Sequence, residues 1–319
     1  MAVPLLALVD LTKWFRSNWT FRRIPALDRV SLAIEAGEVF GLIGHNGAGK
    51  TTTFKLLAGL LRPSAGEIRL DGRPLRWQDP RQGIGFSPEQ PYFYEYLTVR
   101  ETLTLYARLY GMTAADRRQR IAAVTAQLRI ERKLDARMRT LSKGTLQRVA
   151  VAQAILPRPR VVILDEPMSG LDPSGRKEMR DLILSTKADG TTVLFSSHIL
   201  SDAELLCDRV AVLASGRLRD VVDLRAPTTE PTGYTLVLRD VPAPVLEALG
   251  RVAGAPPVGA AGGGPGRWSV VLPDRGAVLA ALTALNGSTE AIEALVPQRP
   301  SLEQRFLRSV GAGDEDPDP

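Results

Sequence analysis

The octapeptide Gly44-His45-Asn46-Gly47-Ala48-Gly49-Lys50-Thr51 limits what this chain can fold into more than any other feature. It fits the spacing G-x-x-x-x-G-K-[ST], and its flanks give that spacing a physical meaning. Val39 to Ile43 reads as a strand leading into it, and Phe54, Leu56, Leu57 and Leu60 mark a helix beyond it, which Arg62-Pro63 ends. Glycines let backbone amides curl around phosphate oxygens, an approach that a Cβ would block. A helix beginning near Lys50 points its positive end at the same anion. Lys50 is then placed to reach the β- and γ-phosphates of a nucleotide, and the Thr51 hydroxyl to hold Mg²⁺. Thr52, on the first turn, joins the nucleotide-binding set.

A second constraint lies at Val161-Val162-Ile163-Leu164-Asp165-Glu166, an apolar strand ending in two carboxylates. Continuous apolar runs are the mark of parallel strands buried on both faces, and the carboxyl ends of such strands open into the ligand crevice. Asp165 is placed to help hold Mg²⁺, and Glu166 to accept a proton from an attacking water. Together the two segments imply a nucleoside triphosphatase built on a phosphate-binding loop, without saying which kind.

Strands and helices alternate through most of the chain, which implies an α/β domain with a mainly parallel sheet. Val3 to Val9 reads as a first strand, Val30 to Ile34 as another, and Ile68 to Leu70 as a hairpin arm turning at Asp71-Gly72. Thr98 and Glu101 form a capping box for a helix that ends at Gly111. Ile121, Val124 and Leu128 mark a second helix, so that about 97–156 is a helical insert. The α/β pattern resumes with strands at Thr192 to Ser196 and Val210 to Leu213. Residues 1–226 form this domain. Pro227 to Gly233 reads as a linker, 227–312 as a small α+β domain with a loop at Gly254 to Gly266, and 313–319 as an acidic tail.

With 319 residues, 44% of them hydrophobic, the chain can bury a sizeable core. The lone Cys207 excludes an internal disulfide framework. No apolar run approaches the ~20 residues of a membrane-spanning helix. The net charge of +6 is concentrated between Arg108 and Arg148, as solvated helix faces or as a surface for nucleic acid, membrane or partner. No zinc-finger spacing or RNA-binding aromatic signature accompanies it.

Leu141-Ser142-Lys143-Gly144-Thr145-Leu146-Gln147-Arg148, placed after the insert and before the Asp165 strand, resembles the signature of the ABC ATPase family, which usually reads L-S-G-G-Q. Ser142 and Gly144 match; Lys143 and Thr145 depart. Further segments follow in the family's order. Ser169-Gly170-Leu171-Asp172 resembles its D-loop, His198 its switch histidine, and Phe15 (or Trp14) its adenine-stacking aromatic. The glutamine of its Q-loop falls on Glu89 or on Gln90, within Phe86-Ser87-Pro88-Glu89-Gln90. In the family, the region of Pro91-Tyr92-Phe93-Tyr94-Glu95-Tyr96 receives the membrane subunit; here the cluster reads equally as docking surface or as local packing.

The resemblance covers about Leu5 to Arg225. It implies the ABC-ATPase fold of the P-loop NTPases, with its helical insert and an antiparallel β subdomain, followed here by the α+β domain. It also implies two ATP·Mg²⁺ bound between two ATPase subunits, with Ser142, Lys143 and Gly144 facing the nucleotide of the other subunit and Asp172 at the interface. Glu166 and His198 are the catalytic pair, and Thr51, Asp165 and Glu89 the metal set. A separate membrane-spanning permease is the expected partner, at the cytoplasmic face of the membrane, with no nucleic acid. Pro88-Glu89, Lys143 and Ser301-Leu302-Glu303-Gln304-Arg305-Phe306-Leu307 resemble exporter ATPases. The rival reading is a soluble ABC ATPase acting on nucleic acid or ribosomes.

Overall fold

In the computed structural model of the chain, which describes residues 3–16, 22–225, 233–259, 266–285, 289–298 and 302–303, the first strand is longer than its apolar run. β1 spans Leu6–Arg16 and pairs antiparallel with β2, Arg23–Ile34, out to Arg16↔Arg23. Asp10, Thr12 and Lys13 end the apolar pattern, yet the strand continues. Asp10 takes φ 47, and register shifts follow Leu8 and Leu11. Such bulges re-aim the side chains without ending the pairing. Arg23 and Ile24 therefore belong to β2; Ser17 to Phe21 lie outside the described residues.

β3, Val39–Ile43, is buried at every residue and leads through the phosphate loop to α1, Lys50–Leu57. β4, Ala65–Leu70, and β5, Arg73–Leu75, form the hairpin expected around Asp71-Gly72, whose φ angles of 52 and 72 match such a turn. These strands make an antiparallel sheet of order β2-β1-β4-β5. β6, Ile84–Ser87, opens the path to the insert.

The capping box of the insert is present as read. Glu101 N donates to Thr98 Oγ1 at 3.2 Å, and Thr98 N to Glu101 Oε2 at 2.8 Å, starting α2, Val99–Leu109. α3, Ala114–Gln127, is capped by Thr113. Two 3₁₀ turns, Glu131–Lys133 and Met138–Thr140, lead to α4, Lys143–Ile155, with Ser142 as its N-cap. Arg120 on α3 donates to Ile155 O at 2.6 Å and Leu156 O at 3.0 Å. It satisfies carbonyls that the end of a helix leaves free, so one of the basic residues serves the packing of the insert.

β7, Val161–Leu164, α5, Pro173–Ala188, β8, Thr192–Ser197, α6, Leu200–Leu206, and β9, Arg209–Ala214, follow the expected alternation. β10, Arg217–Asp223, is an addition: only Val222 is buried among exposed and half-buried residues, so no apolar run announces it. The resulting six-stranded sheet has the order β10-β9-β3-β8-β7-β6 and is parallel except for β10. Leu6, Leu8 and Leu11 of the antiparallel sheet share one buried cluster with Phe40, Phe54, Ile163 and Leu213. The carboxyl ends of β3, β6, β7 and β8 are thereby fixed side by side.

The chain divides into two compact units after Arg225. In the second, β11, Gly233–Arg239, α7, Ala243–Ala253, β12, Val258–Gly259, β13, Arg267–Leu272, α8, Arg275–Ala284, and β14, Ile292–Gln298, form the expected α+β fold. Its antiparallel sheet has the order β12-β13-β11-β14, and Leu236, Leu238, Leu249, Val270 and Leu272 are its core. The linker expected from Pro227 lies outside the described residues up to β11, as do Ala260 to Pro265 of the long loop and the acidic tail. Of Ser301 to Leu307, only Leu302 and Glu303 are described, in a helical turn. No helix among the described residues is long and apolar enough to cross a membrane.

Candidate functional site

Two glycines shape the phosphate loop for reasons the packing makes plain. A Cβ on Gly44 would collide with the Leu213 carbonyl oxygen and come within 2.9 Å of the Ala48 Cβ. Gly49, the N-cap of α1, has φ 107, and a Cβ there would stand 2.7 Å from Ala26 O. The loop is thus pressed against β2 and β9 from beneath, leaving its amides for the other side. The first amides of α1 have no acceptor within the helix. Lys50, 6% exposed, donates to Gly44 O at 2.7 Å and His45 O at 3.2 Å.

Above the loop lies a cleft of about 330 Å³, lined by residues from His45 to Thr52 together with Ala26, Glu89, Glu166, Ser169 and His198. Residues from five separate stretches of sequence thus meet in one place. Glu166 is held between two cations or potential cations. Its Oε1 lies 3.5 Å from Lys50 Nζ, and its Oε2 accepts from His198 Nδ1 at 2.9 Å. Glu166 has φ 47, a left-handed conformation uncommon for a residue with a Cβ. Such strained backbone tends to gather at functional sites.

Asp165 is 2% exposed and sits behind Glu166. Its N donates to Ser87 O at 2.9 Å, and its Oδ1 accepts from Ser196 Oγ at 2.7 Å. The same Ser196 Oγ accepts from Glu166 N at 2.8 Å. One hydroxyl at the end of β8 therefore fixes both acidic residues at the end of β7. Sequence reading used Ser196 only as a strand end; a polar side chain closing an apolar parallel strand is the signal that points to it.

The other expected site residues stand elsewhere. Glu89 lines the cleft, and the exposed Gln90 beside it does not. Phe15 is not among the lining residues; it is 40% exposed on β1, with Lys13 Nζ 5.1 Å from its ring centre. Trp14 carries the Arg23 guanidinium 4.2 Å from its ring. Ser142 and Asp172 are helix N-caps: Thr145 N donates to Ser142 Oγ at 3.4 Å, and Gly175 N to Asp172 Oδ1 at 3.0 Å. Lys143 and Gly144, the first turn of α4, lie with them outside the cleft lining. The aromatic cluster divides in two. Phe93 is buried edge-on against Tyr106 at 6.3 Å, while Tyr92, Tyr94 and Tyr96 are exposed.

No group of three or more His, Cys, Asp or Glu among the described residues could hold a metal ion alone. The site still fits Mg²⁺, which commonly takes one or two protein oxygens and completes its shell with phosphate and water. Thr51 lies in the cleft, and Asp165 keeps one carboxylate oxygen clear of Ser196.

Residues 27–169 match the model of a family described as ABC transporter. An uncharacterized ABC transporter ATP-binding protein of Nostoc sp. is 48% identical over 212 residues, 66% of this chain and 63% of that one. A Nod factor export ATP-binding protein I of Burkholderia orbicola is 41% identical over 190 residues, 59% of this chain and 62% of that one. The match thus spans a little under two thirds of the length of these two curated relatives. Among solved structures, a dimeric, post-hydrolysis ATP-binding cassette bound to ADP and Pi superposes with a TM-score of 0.64 at 27% identity, covering 70% of this chain and all of that one.

Proposed function

The chain belongs to the ABC transporter family of ATP-binding proteins, and from that premise we propose that it is the ATP-binding and ATP-hydrolysing subunit of an exporter. Two copies would close over two ATP molecules. A separate membrane-spanning subunit would be driven by that closure, holding this chain at the cytoplasmic face of the membrane. The observation that carries the reading is the meeting of Lys50, Glu166 and His198 in the cleft above the phosphate loop.

Each residue has a distinct task. The loop amides and Lys50 bind the phosphates, and Lys50 exchanges its carbonyl partners for phosphate oxygens as it does so. Glu166 takes the proton of the attacking water, and general-base catalysis of this kind contributes about 10²- to 10⁴-fold. His198 orients the Glu166 carboxylate through its 2.9 Å contact and would face the terminal phosphate of a bound ATP. Mg²⁺, held by Thr51 and Asp165 with Glu89 at the rim, would supply positive charge to the phosphate oxygens. Ser142, Lys143 and Gly144 would meet the phosphate of the opposing subunit, where a helix N-terminus suits an anion.

Dimer closure is supported by the dimeric form of the solved cassette with ADP and Pi. Export is supported by the relative named for Nod factor export. The exposed Tyr92, Tyr94 and Tyr96 support a docking surface, since tyrosine is enriched in interface cores. The test is a pull-down of the tagged full chain from gently solubilised membranes. Recovery of a multi-spanning partner in near-equal amount supports the reading; ribosomes or nucleic acid in its place overturn it.

A further inference from the structure

The turn Ser169-Gly170-Leu171-Asp172 touches two parts of the site at once. Ser169 lines the phosphate cleft. Asp172 caps α5. Between them, Gly170 and Leu171 meet the start of α4. A Cβ on Gly170 would overlap the Lys143 Nζ and stand 3.2 Å from its Cε and 3.6 Å from its Cδ. A Cβ on Gly144 would be 3.5 Å from Leu171 Cδ2. The outer half of the Lys143 side chain, its ammonium included, thus lies over Gly170, whose φ of 67 is a backbone that glycine favours.

The side chain of Lys143 has no hydrogen bond or ion pair with a described residue. It is exposed, and it stands on the first turn of α4 beside Ser142. A lysine stem can cover a surface while its ammonium stays in water. Here the covered surface is the backbone of the turn that reaches the cleft.

We propose that Lys143 is a positioning residue whose stem clamps the Ser169–Asp172 turn to the start of α4. The clamp keeps the phosphate cleft of one chain in register with the helix start that serves the nucleotide of the other. The inference rests on the proposed function, in which Ser142 to Gly144 face the opposing nucleotide. It assigns Lys143 a second role, within its own chain.

A double-mutant cycle on the full chain tests the clamp, read as steady-state ATPase kcat and KM. Lys143→Ala lowers kcat about tenfold, within the range of couplings between contacting residues, and shifts the KM for ATP less than about twofold. Gly170→Ala displaces the stem and lowers kcat similarly. In the Lys143→Ala background the alanine methyl meets no side chain and only the backbone strain at φ 67 remains, so Gly170→Ala lowers kcat less there than in the parent. In the nucleotide-free chain, where no opposing phosphate is present, Lys143→Ala speeds hydrogen exchange of the 169–172 amides about tenfold, and Lys143→Met, which keeps the stem without the charge, leaves it as in the parent. Independent, additive losses overturn the clamp, as does a Lys143→Met whose 169–172 amides exchange as fast as those of Lys143→Ala, or a Lys143→Ala whose amides exchange as slowly as the parent's. Should Gly170→Ala not fold, the methionine comparison still decides. Failure of the proposed function looks different: Glu166→Gln would then hydrolyse ATP at the parental rate.

Discussion

His198 Nδ1 lies 2.9 Å from Glu166 Oε2, on the side of the carboxylate opposite the 3.5 Å approach of Lys50 Nζ to Oε1. The proposed base and the group proposed to orient it are therefore in contact within the single chain. Glu166→Gln keeps the shape and removes the proton acceptor. ATP binding persists, hydrolysis falls by at least about 10²-fold, and an ATP-bound dimer accumulates. Gel filtration with multi-angle scattering and a phosphate-release assay check both halves. A Glu166→Gln chain with parental turnover would remove Glu166 from the mechanism.

Lys50 separates binding from chemistry. Its ammonium is 2.7 Å from Gly44 O and 3.2 Å from His45 O, so it is held at the mouth of the loop. Lys50→Ala deletes one charge-assisted contact to phosphate, and affinity for ATP falls about ten- to a hundredfold. Titration calorimetry measures this directly, and no ATP-induced dimer forms at concentrations that saturate the parent.

Ser196→Ala tests the hydroxyl that joins the two carboxylates. Asp165 Oδ1 loses its 2.7 Å donor and Glu166 N its 2.8 Å acceptor. Leaving buried polar groups unpaired costs about 1–3 kcal/mol each, so thermal stability drops. Turnover falls with little change in KM, since the loop amides and Lys50 are untouched. A variant that matches the parent in both would make the bridge incidental.

The phosphate loop, the Asp165–Glu166 strand end and the Thr98 capping box are local patterns, and each is present where the sequence places it. What escaped is non-local. β1 runs past Asp10 because a bulge carries the pairing on, and no apolar period records a bulge. β10 is half exposed, so its strand character comes from pairing with β9. Ser196 becomes important only when β7 and β8 lie side by side, and Lys143 only when the 169–172 turn folds beneath it. Within the aromatic cluster Phe93 turns inward as local packing, while its tyrosine neighbours remain exposed, a division that no period in the sequence records.

Cys207 gives a pH-dependent prediction away from the cleft. The thiol is buried, and a Cβ on Gly41 would stand 2.6 Å from its Sγ. Burial, then the charges of Asp208 and Glu38, hold its pKa well above the ordinary 9.0, with Lys187 acting weakly the other way. The unfolded thiol ionises first. Above its pKa the unfolded state binds fewer protons than the folded one, so stability falls as pH rises. The thiol contribution is complete below the unfolded pKa and is lost on the alkaline side, with a limiting slope of about 1.4 kcal/mol per pH unit. Denaturant unfolding from about pH 8 to about pH 10 should show the parent losing more stability than Cys207→Ala, in which other alkaline titrations are shared and cancel. A thiol reagent should modify the native chain only as fast as it opens. Parallel pH curves for the two proteins, or rapid modification of the native one, would mean that the thiol reaches water in the folded chain.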